Sequence, residues 1–309
     1  MQSESCPGGF SLRHTLKARN RVITRLAWSP DGRTLASASY DQTVRLWNVT
    51  TGVQTQELPG YSGSVFTVAI TPDGRQVVSA SKNNLKVREL GRARRSQTLR
   101  GHKDYVYAVA VTPDSRRIVS GAYDETVRVW DIISEETLAV LAGHQGRVGD
   151  VVVTPDGRQA ISGAADSCIK IWCLDTYQEL ATLNGHTGEI FSLAVSPDGA
   201  LLASASGDSD VRVWRLDTRD LLAVLAEHDQ LVSSVSFSAD GRILASKSAD
   251  HTVILWRCAN WEPLARLAEP HAKFAFSGLA FNPQFPVLAT LGDRDKSIRI
   301  WDLDTAVWF

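Results

Sequence analysis

The chain has 309 residues, with 43% apolar and 22% charged side chains, 33 basic and 34 acidic groups and a net charge of −1 at pH 7. This balance creates no overall field that would recruit nucleic acid or a membrane. There is no apolar run of about 18 residues, no signal-peptide pattern and no CxxC pair. His14 and His251, the two histidines that do not belong to the repeated sequence described below, form no metal-binding motif. We therefore expect a cytoplasmic protein in a reducing compartment, with no metal or other cofactor.

Seven copies of one phrase follow one another along the chain. The residues that close the successive copies are Trp47, Arg88, Trp130, Trp172, Trp214, Trp256 and Trp301. They are spaced by 41, 42, 42, 42, 42 and 45 residues. Within a copy, apolar and polar residues alternate, β-branched residues are frequent, and PDG turns separate the runs. The pattern predicts four short strands per copy and no helix.

The phrase itself points to a family. A complete copy, such as Gly185 to Trp214, contains a GH step, an SPDG or TPDG turn, an SAS run, an Asp and a closing Trp. It resembles the WD40 repeat over about 300 of the 309 residues, and it is similar to the repeat arrays of prokaryotic signalling proteins. The resemblance implies an all-β fold, a seven-bladed β-propeller with four antiparallel strands per blade.

The resemblance also implies a buried hydrogen-bonded set in each blade, formed by a His, a Ser, an Asp 22 residues after the His, and the closing Trp. In copies three to six the members are His102, Ser120, Asp124, Trp130; His144, Ser162, Asp166, Trp172; His186, Ser204, Asp208, Trp214; and His228, Ser246, Asp250, Trp256. We call each set a tetrad. Since the same Ser, His and Asp recur in four copies, we interpret them as structural and not as a hydrolase triad.

The other three copies depart from this pattern. Copy one has Arg19 at the His position. Copy two has Tyr61 there and Arg88 in place of the Trp, which predicts a weaker lock and a more mobile outer edge. Copy seven keeps His271 and Asp295 but has insertions on both sides of the turn, so we expect its loop to protrude.

The two chain ends are expected to meet in the last blade. The segment SLRHTLKAR before copy one matches the spacing of a fourth strand, so it would complete blade seven and close the ring. We expect residues 1–9 to form a flexible tail and 10–309 a single propeller domain. The terminal Trp308 and Phe309 are expected to pack at the seam; the alternative is that they mark a chain cut from something longer.

Blade two carries a local excess of cations. GRARRSQTLR, from Gly91 to Arg100, lies close in sequence to Lys82, Lys86 and Arg88. One interpretation is a solvated turn; the other is a docking patch for an acidic partner or a phosphate backbone. No aromatic residue interleaves the arginines, which does not favour nucleic acid.

In WD40 proteins, partners commonly bind the top face through three positions per blade, two on the first strand and one just before the tetrad Asp. Aromatic and arginine side chains at such positions are typical of binding hot spots. The candidate partner-binding residues read from these positions are Tyr40, Phe66, Lys82, Tyr105, Tyr107, Tyr123, Arg147, Glu189, Phe191 and Arg294. The alternative is that these aromatics only fill the mouth of the channel.

The favoured function is a non-enzymatic scaffold or sensor/adaptor module that binds a protein segment on the top face, for example from a signalling or effector domain. One alternative is binding of nucleic acid or an acidic partner by blade two. The other is an enzyme with a site in the central channel. That enzyme would need converging carboxylates, and among the candidate positions only Glu189 supplies one.

Overall fold

The structure, a computed structural model, describes residues 7–17, 21–91, 96–269, 278–292 and 296–309. The predicted fold is confirmed: the strands form seven four-stranded antiparallel sheets, which are the blades of a propeller. The first strands of neighbouring blades contact one another and therefore surround the axis of the ring. Within the described residues, the helical structure is one short 3-10 turn at Thr305–Val307.

The first three blades repeat the same order of strands from the axis outwards. Blade one contains β2 (Ile23–Trp28), β3 (Thr34–Ser39), β4 (Val44–Asn48) and β5 (Val53–Leu58). Blade two contains β6 (Val65–Ile70), β7 (Gln76–Ser81), β8 (Asn84–Glu89) and β9 (Ser96–Arg100). Blade three contains β10 (Val106–Val111), β11 (Arg117–Ala122), β12 (Thr126–Asp131) and β13 (Thr137–Ala142).

The next three blades keep this order. Blade four contains β14 (Val148–Val153), β15 (Gln159–Ala164), β16 (Ile169–Cys173) and β17 (Glu179–Leu183). Blade five contains β18 (Ile190–Val195), β19 (Leu201–Ser206), β20 (Val211–Arg215) and β21 (Leu221–Leu225). Blade six contains β22 (Val232–Phe237), β23 (Ile243–Ser248), β24 (Thr252–Arg257) and β25 (Pro263–Ala268).

Blade seven is assembled from both ends of the chain, as the sequence predicted. It contains β26 (Leu279–Phe281), β27 (Val287–Gly292), β28 (Ser297–Leu303) and, as its outer strand, β1 (Phe10–Lys17). The Trp308 ring packs against Phe10 with 5.7 Å between centroids. The Arg242 guanidinium lies 3.7 Å from the centre of the Phe309 ring. The terminal aromatics therefore pack at the junction of blades six and seven.

The hydrophobic core is divided among the seven blade interfaces. At the interface of blades three and four, for example, Val119 and Val129 pack with Val148, Val151 and Trp172. The second strand of each complete blade is buried along most of its length, because neighbouring blades cover both of its faces. Burial of this apolar surface, repeated around the ring, is the main force that holds each blade against the next.

The PDG turns join the first strand to the second at one end of each blade. In blade four, Thr154 Oγ1 donates to Asp156 Oδ1 at 2.5 Å, and the backbone N–H of Arg158 donates to the same oxygen at 3.0 Å. Gly157 follows with a φ of +71°, which glycine adopts without steric cost. A Cβ at this position would lie 3.3 Å from the Pro113 ring of blade three, so successive turns are also in contact.

Candidate functional site

In blades three to six, the four side chains of each tetrad form one continuous hydrogen-bonded chain. In blade three, His102 Nδ1 lies 2.9 Å from Asp124 Oδ2, and His102 Nε2 lies 2.8 Å from Ser120 Oγ. The Trp130 indole N–H donates to the same Ser120 Oγ at 2.8 Å. In the tetrads of blades four, five and six the corresponding distances are between 2.8 and 3.0 Å.

The chemistry of the partners fixes the direction of this chain. A carboxylate only accepts, so His102 Nδ1 carries the proton and Nε2 accepts the Ser120 hydroxyl hydrogen. Burial lowers the pKa of His102 below its ordinary value of 6.5, which keeps the imidazole neutral. Burial alone would raise the pKa of Asp124, but hydrogen bonds from Thr126, the Lys103 amide and His102 outweigh it and lower that pKa. The tetrad is therefore a network of satisfied hydrogen bonds around a neutral histidine.

Blade two replaces part of the set. The buried Tyr61 occupies the His position, and its hydroxyl lies 2.5 Å from Ser79 Oγ. The Arg88 guanidinium lies 4.7 Å from the centre of the Tyr61 ring and donates to the Pro59 carbonyl at 2.6 Å. The loss expected from the sequence is thus only partial, since a phenol and a stacked guanidinium replace the imidazole and the indole. Greater mobility of the outer edge stays a prediction.

Blade one keeps the Ser and the Trp of the tetrad, with the hydrogen bond between them. The Trp47 indole donates to Ser37 Oγ at 2.9 Å, as in a complete tetrad. Asp41 instead accepts from Arg45 Nη2 at 2.6 Å, and Arg45 Nε lies 3.4 Å from Glu57. Arg19, expected at the His position, lies outside the described residues.

Blade seven uses a residue that the sequence did not indicate. The buried Glu269 accepts from Thr290 Oγ1 at 2.5 Å and from Arg299 Nη1 at 2.8 Å. The Trp301 indole donates to the same Thr290 Oγ1 at 2.9 Å. Glu269 therefore holds the hydroxyl that an imidazole holds in blades three to six. His271 and Asp295, the expected members, lie outside the described residues.

The three candidate binding positions of a blade lie together at one end of the ring, which we call the top face. In blade three, the backbone N–H of Tyr123 donates to the Tyr105 carbonyl at 2.8 Å. The corresponding bond joins Tyr40 to Val22 in blade one at 3.0 Å. The remaining position, Tyr107 in blade three, is the residue at which the pairing register of the first strand shifts. Such a bulge re-aims a side chain away from the regular alternation of the strand.

Five of these residues form a continuous series of ring contacts across blades one to three, which we call the aromatic cluster. The distances between ring centroids are 5.8 Å for Tyr40 and Phe66, 5.5 Å for Phe66 and Tyr105, 4.7 Å for Phe66 and Tyr107, and 4.7 Å for Tyr107 and Tyr123. These separations are those of attractive aromatic pairs. Burial is the main cause that raises the pKa values of Tyr40 and Tyr107, so both phenols are neutral at physiological pH.

Arg147 ends the aromatic cluster on the side of blade four. Its guanidinium donates to the Tyr123 hydroxyl at 2.9 Å and lies 5.0 Å from the centre of that ring. Nε and Nη2 each donate at 2.5 Å to one carboxylate oxygen of Glu189 in blade five. Arg147 and Glu189 therefore satisfy one another and hold the Tyr123 hydroxyl.

The remaining candidates lie around this group. Lys82 is exposed, and its carbonyl accepts from the Val106 amide of the next blade at 2.8 Å. Phe191 lies one blade beyond Arg147, where a Cβ on Gly207 would be 3.4 Å from its ring. Arg294 lies outside the described residues. The structure thus brings together the aromatic cluster, Arg147 and Glu189, with Phe191 separate from the cluster.

An ion pair inside the ring was not foreseen. Arg25 on β2 donates through Nη2 to Asp150 Oδ1 on β14 at 2.6 Å, which joins blade one to blade four across the axis. Asp150 is fully buried, and its second oxygen accepts from the Leu193 amide of blade five at 2.9 Å. The channel therefore holds a second carboxylate besides Glu189. Since each carboxylate is paired with an arginine, their arrangement does not favour two-carboxylate hydrolysis.

Two basic residues of blade two, Lys86 and Arg88, form hydrogen bonds within the blade. Lys86 Nζ donates to the Gly60 carbonyl at 2.5 Å, and Arg88 binds Pro59 as described above. Burial, and then the charges of Arg88 and Arg100, lower the pKa of Lys86. Arg92, Arg94 and Arg95 of the same segment lie outside the described residues.

The described part of the chain contains no group of three His, Cys, Asp or Glu side chains placed to hold a metal ion. It also contains no helix with the length and apolarity needed to cross a bilayer.

Comparison with protein families finds one repeated match. The family model for the WD domain, G-beta repeat, matches residues 10–48, 52–88, 93–131, 135–173, 177–215, 219–257 and 261–302. These seven segments correspond to the seven copies in the sequence.

Among curated proteins, the chain is similar over short stretches to several eukaryotic relatives. It is 39% identical over 61 residues to the human U5 small nuclear ribonucleoprotein 40 kDa protein, which covers 20% of this chain and 17% of the relative. It is 43% identical over 49 residues to mouse Coronin-7, and the match covers 16% of this chain and 5% of the relative. It is 37% identical over 70 residues to Periodic tryptophan protein 2 of Arabidopsis thaliana, covering 23% and 8%. Each match thus spans less than a fifth of the relative's length.

Proposed function

Because the chain belongs to the WD40 repeat family, whose propellers are typical protein-interaction scaffolds, we propose that its top face binds an extended protein segment across the aromatic cluster. The observation that carries this proposal is the continuous series of ring contacts over three blades at a partly exposed rim. Tyr105 is 44% exposed although it is in contact with Phe66, so part of this apolar surface faces solvent.

The arrangement favours a protein segment with one or two apolar side chains. Rings already held by their neighbours lose little conformational freedom on binding, which is why aromatic residues dominate binding hot spots. A tyrosine hydroxyl both donates and accepts hydrogen bonds, so the tyrosines of the cluster can also bind the backbone of the segment. The exposed Lys82 beside the cluster favours an acidic residue next to the apolar one.

Arg147 has a different part in this proposal from the one expected from the sequence. Its guanidinium is already satisfied by Glu189 and Tyr123, so it acts as a positioning residue that holds the end of the aromatic cluster. Lys82 is then the main polar anchor for the bound segment.

The cellular setting is part of the same proposal. We place the protein in the cytoplasm as an adaptor or sensor module whose partner belongs to a signalling or effector domain, and we treat residues 10–309 as one domain. The near-neutral charge of the chain supports a protein partner over nucleic acid.

The test is a selection of peptides from a random displayed library on the wild-type protein, followed by affinity measurements on variants. Tyr105→Ala should weaken the selected peptides about 30-fold, the loss of about 2 kcal/mol typical of a hot-spot residue. Lys82→Glu should weaken those peptides that carry an acidic residue.

The matched control is Phe285→Ala, which removes an aromatic ring that is 49% exposed on the opposite face. It should leave the affinities unchanged. The proposal fails if Phe285→Ala removes binding, or if Tyr105→Ala does not alter it.

A further inference from the structure

Three cations of blade two, Lys86, Arg88 and Arg100, lie on one face of its two outer strands, and we call them the cation cluster. Lys86 and Arg88 are two residues apart on β8 and therefore share a face. Thr98 on β9 pairs with Lys86, so Arg100, two residues further along β9, lies diagonally across from Lys86 on the same face. The charges of Arg88 and Arg100 help to lower the pKa of Lys86, which agrees with this placement.

Within the described part of the chain, no carboxylate forms an ion pair with the cation cluster. Lys86 Nζ donates to the Gly60 carbonyl at 2.5 Å, and Arg88 Nη2 donates to the Pro59 carbonyl at 2.6 Å. Both acceptors are neutral. Arg88 Nε is buried and has no acceptor among the described residues, and Arg100 is exposed. The positive charge of the cluster is therefore not neutralised by these contacts.

Other blades neutralise the cation at the position of Lys86, two residues before the closing residue of the copy. The pairs are Arg45 with Asp41 at 2.6 Å, Lys170 with Glu179 at 2.9 Å, Arg212 with Asp210 at 3.7 Å and Arg299 with Glu269 at 2.8 Å. In blade two, the neutral Thr98 lies opposite Lys86, and two more cations lie beside it. The nearby Glu57 of blade one lies against Arg45 instead. Blade two thus keeps a positive charge that these four blades neutralise.

We propose that the cation cluster binds a phosphate group carried by a protein segment, at a second site that is separate from the aromatic cluster. A phosphate monoester carries nearly two negative charges and three strong acceptor oxygens. Guanidinium groups bind such oxygens in pairs, and an ammonium adds a compact third charge. The site lies on the two outer strands of blade two, whereas Phe66 of the aromatic cluster is on the first strand of that blade.

The surroundings of the cation cluster favour a protein over a nucleic acid or a membrane. Its one aromatic neighbour among the described residues, Tyr61, is 5% exposed and therefore offers no ring on which a base could stack. Leu99, the apolar residue of β9, is buried, so this strand has no apolar side chain to insert into a bilayer. The choice of a protein as the carrier rests on the scaffold role proposed above, whereas the phosphate site itself does not.

The test is a selection from random peptides that carry one central phosphoserine, followed by fluorescence anisotropy at constant ionic strength. The selected peptides should bind at least about tenfold more tightly than the same peptides with serine. Equal affinities of the two forms would overturn the proposal. Binding of single-stranded DNA, or of vesicles of phosphatidylcholine and phosphatidylserine, that depends on Arg100 while no phosphopeptide binds would also overturn it.

The diagnostic variant is Arg100→Gln, because this exposed side chain can be changed without loss of a core contact. It should weaken the phosphopeptides at least about tenfold. The matched control, Arg158→Gln, changes the net charge equally at another exposed arginine and should have no effect. Lys86→Gln should also weaken binding, whereas Lys170→Gln, the same change at the equivalent position of blade four, should not. Equal losses in the variants and their controls would show an effect of net charge alone and overturn the proposal.

A further variant separates this site from the top face. Tyr105→Ala should leave the phosphopeptide affinities unchanged, because Tyr105 belongs to the aromatic cluster. If Tyr105→Ala removes phosphopeptide binding and Arg100→Gln does not, the top face binds the phosphate and the assignment to blade two is wrong. Circular dichroism spectra that match the wild type will show that each variant is folded.

Discussion

Ser162→Ala should destabilise the protein far more than a surface substitution, because Ser162 is the centre of the tetrad in blade four. Its hydroxyl donates to His144 Nε2 and accepts from the Trp172 indole, both at 2.8 Å. All three side chains are buried. The substitution therefore leaves one acceptor and one donor without partners in the interior.

The expected cost follows from these two groups. A buried polar group that loses its partner costs about 1–3 kcal/mol, so Ser162→Ala should lower the free energy of unfolding by about 2–5 kcal/mol. The matched variant is Ser79→Ala in blade two, where Tyr61 occupies the His position. There only the Tyr61 hydroxyl loses a close partner, and the expected cost is about 1–2 kcal/mol.

The assay is urea unfolding followed by far-UV circular dichroism, with the free energy obtained by linear extrapolation and the slopes compared among the variants. Equal losses for the two variants would refute the idea that the complete tetrad contributes more than its replacement in blade two. So would a loss below about 1 kcal/mol for Ser162→Ala.

Four further outcomes are expected. Burial lowers the pKa values of the four tetrad histidines below 6.5 in the folded state, so the unfolded chain binds more protons than the folded chain below that pH. The midpoint of urea unfolding should therefore fall as the pH drops from about 7.5 to about 5. A midpoint that does not change with pH would contradict this prediction. Trp308→Ala should cost about 3–5 kcal/mol in urea unfolding, whereas the exposed Val307→Ala should cost little. Gly149→Ala should lower the free energy of unfolding by about 1–3 kcal/mol, because its Cβ would collide with a backbone carbonyl of blade five. The control is Gly207→Ala, whose Cβ would make only ordinary van der Waals contacts. Equal melting temperatures for the two variants would contradict the predicted clash. Arg25→Met should cost about 3–5 kcal/mol by leaving a buried carboxylate without its cation, and an unchanged urea midpoint would show that the backbone amides alone satisfy that carboxylate.

The fold could be predicted because its information is local and repeated. The spacing of the closing Trp residues determines where each blade ends, and the PDG turns divide the strands within it. The N-terminal strand could be assigned to blade seven because it matches the outer strands of the other blades in pattern. Because the same pattern recurs in seven copies, an irregular copy does not obscure the fold.

The features that were missed depend on contacts between distant or altered positions. Arg25 and Asp150 are 125 residues apart, and no local pattern links a cation on one first strand to a carboxylate three blades away. Glu269 binds the Thr290 hydroxyl in blade seven, whereas the repeat pattern indicates His271 for the His position. Tyr61 seemed to remove a tetrad because the reach of a phenol to Ser79 is a matter of side-chain geometry.

The pairing of β1 with β28 also determines how the ring would respond to mechanical load. Phe10 pairs with Leu303, and the Asp304 amide donates to the Gly9 carbonyl at 2.9 Å, so both chain ends leave the ring at the same edge of blade seven. Force applied between them would load the hydrogen bonds of this antiparallel pair one after another instead of all together. At low force β1 should therefore separate from β28 before any other strand, and the other six blades should stay folded.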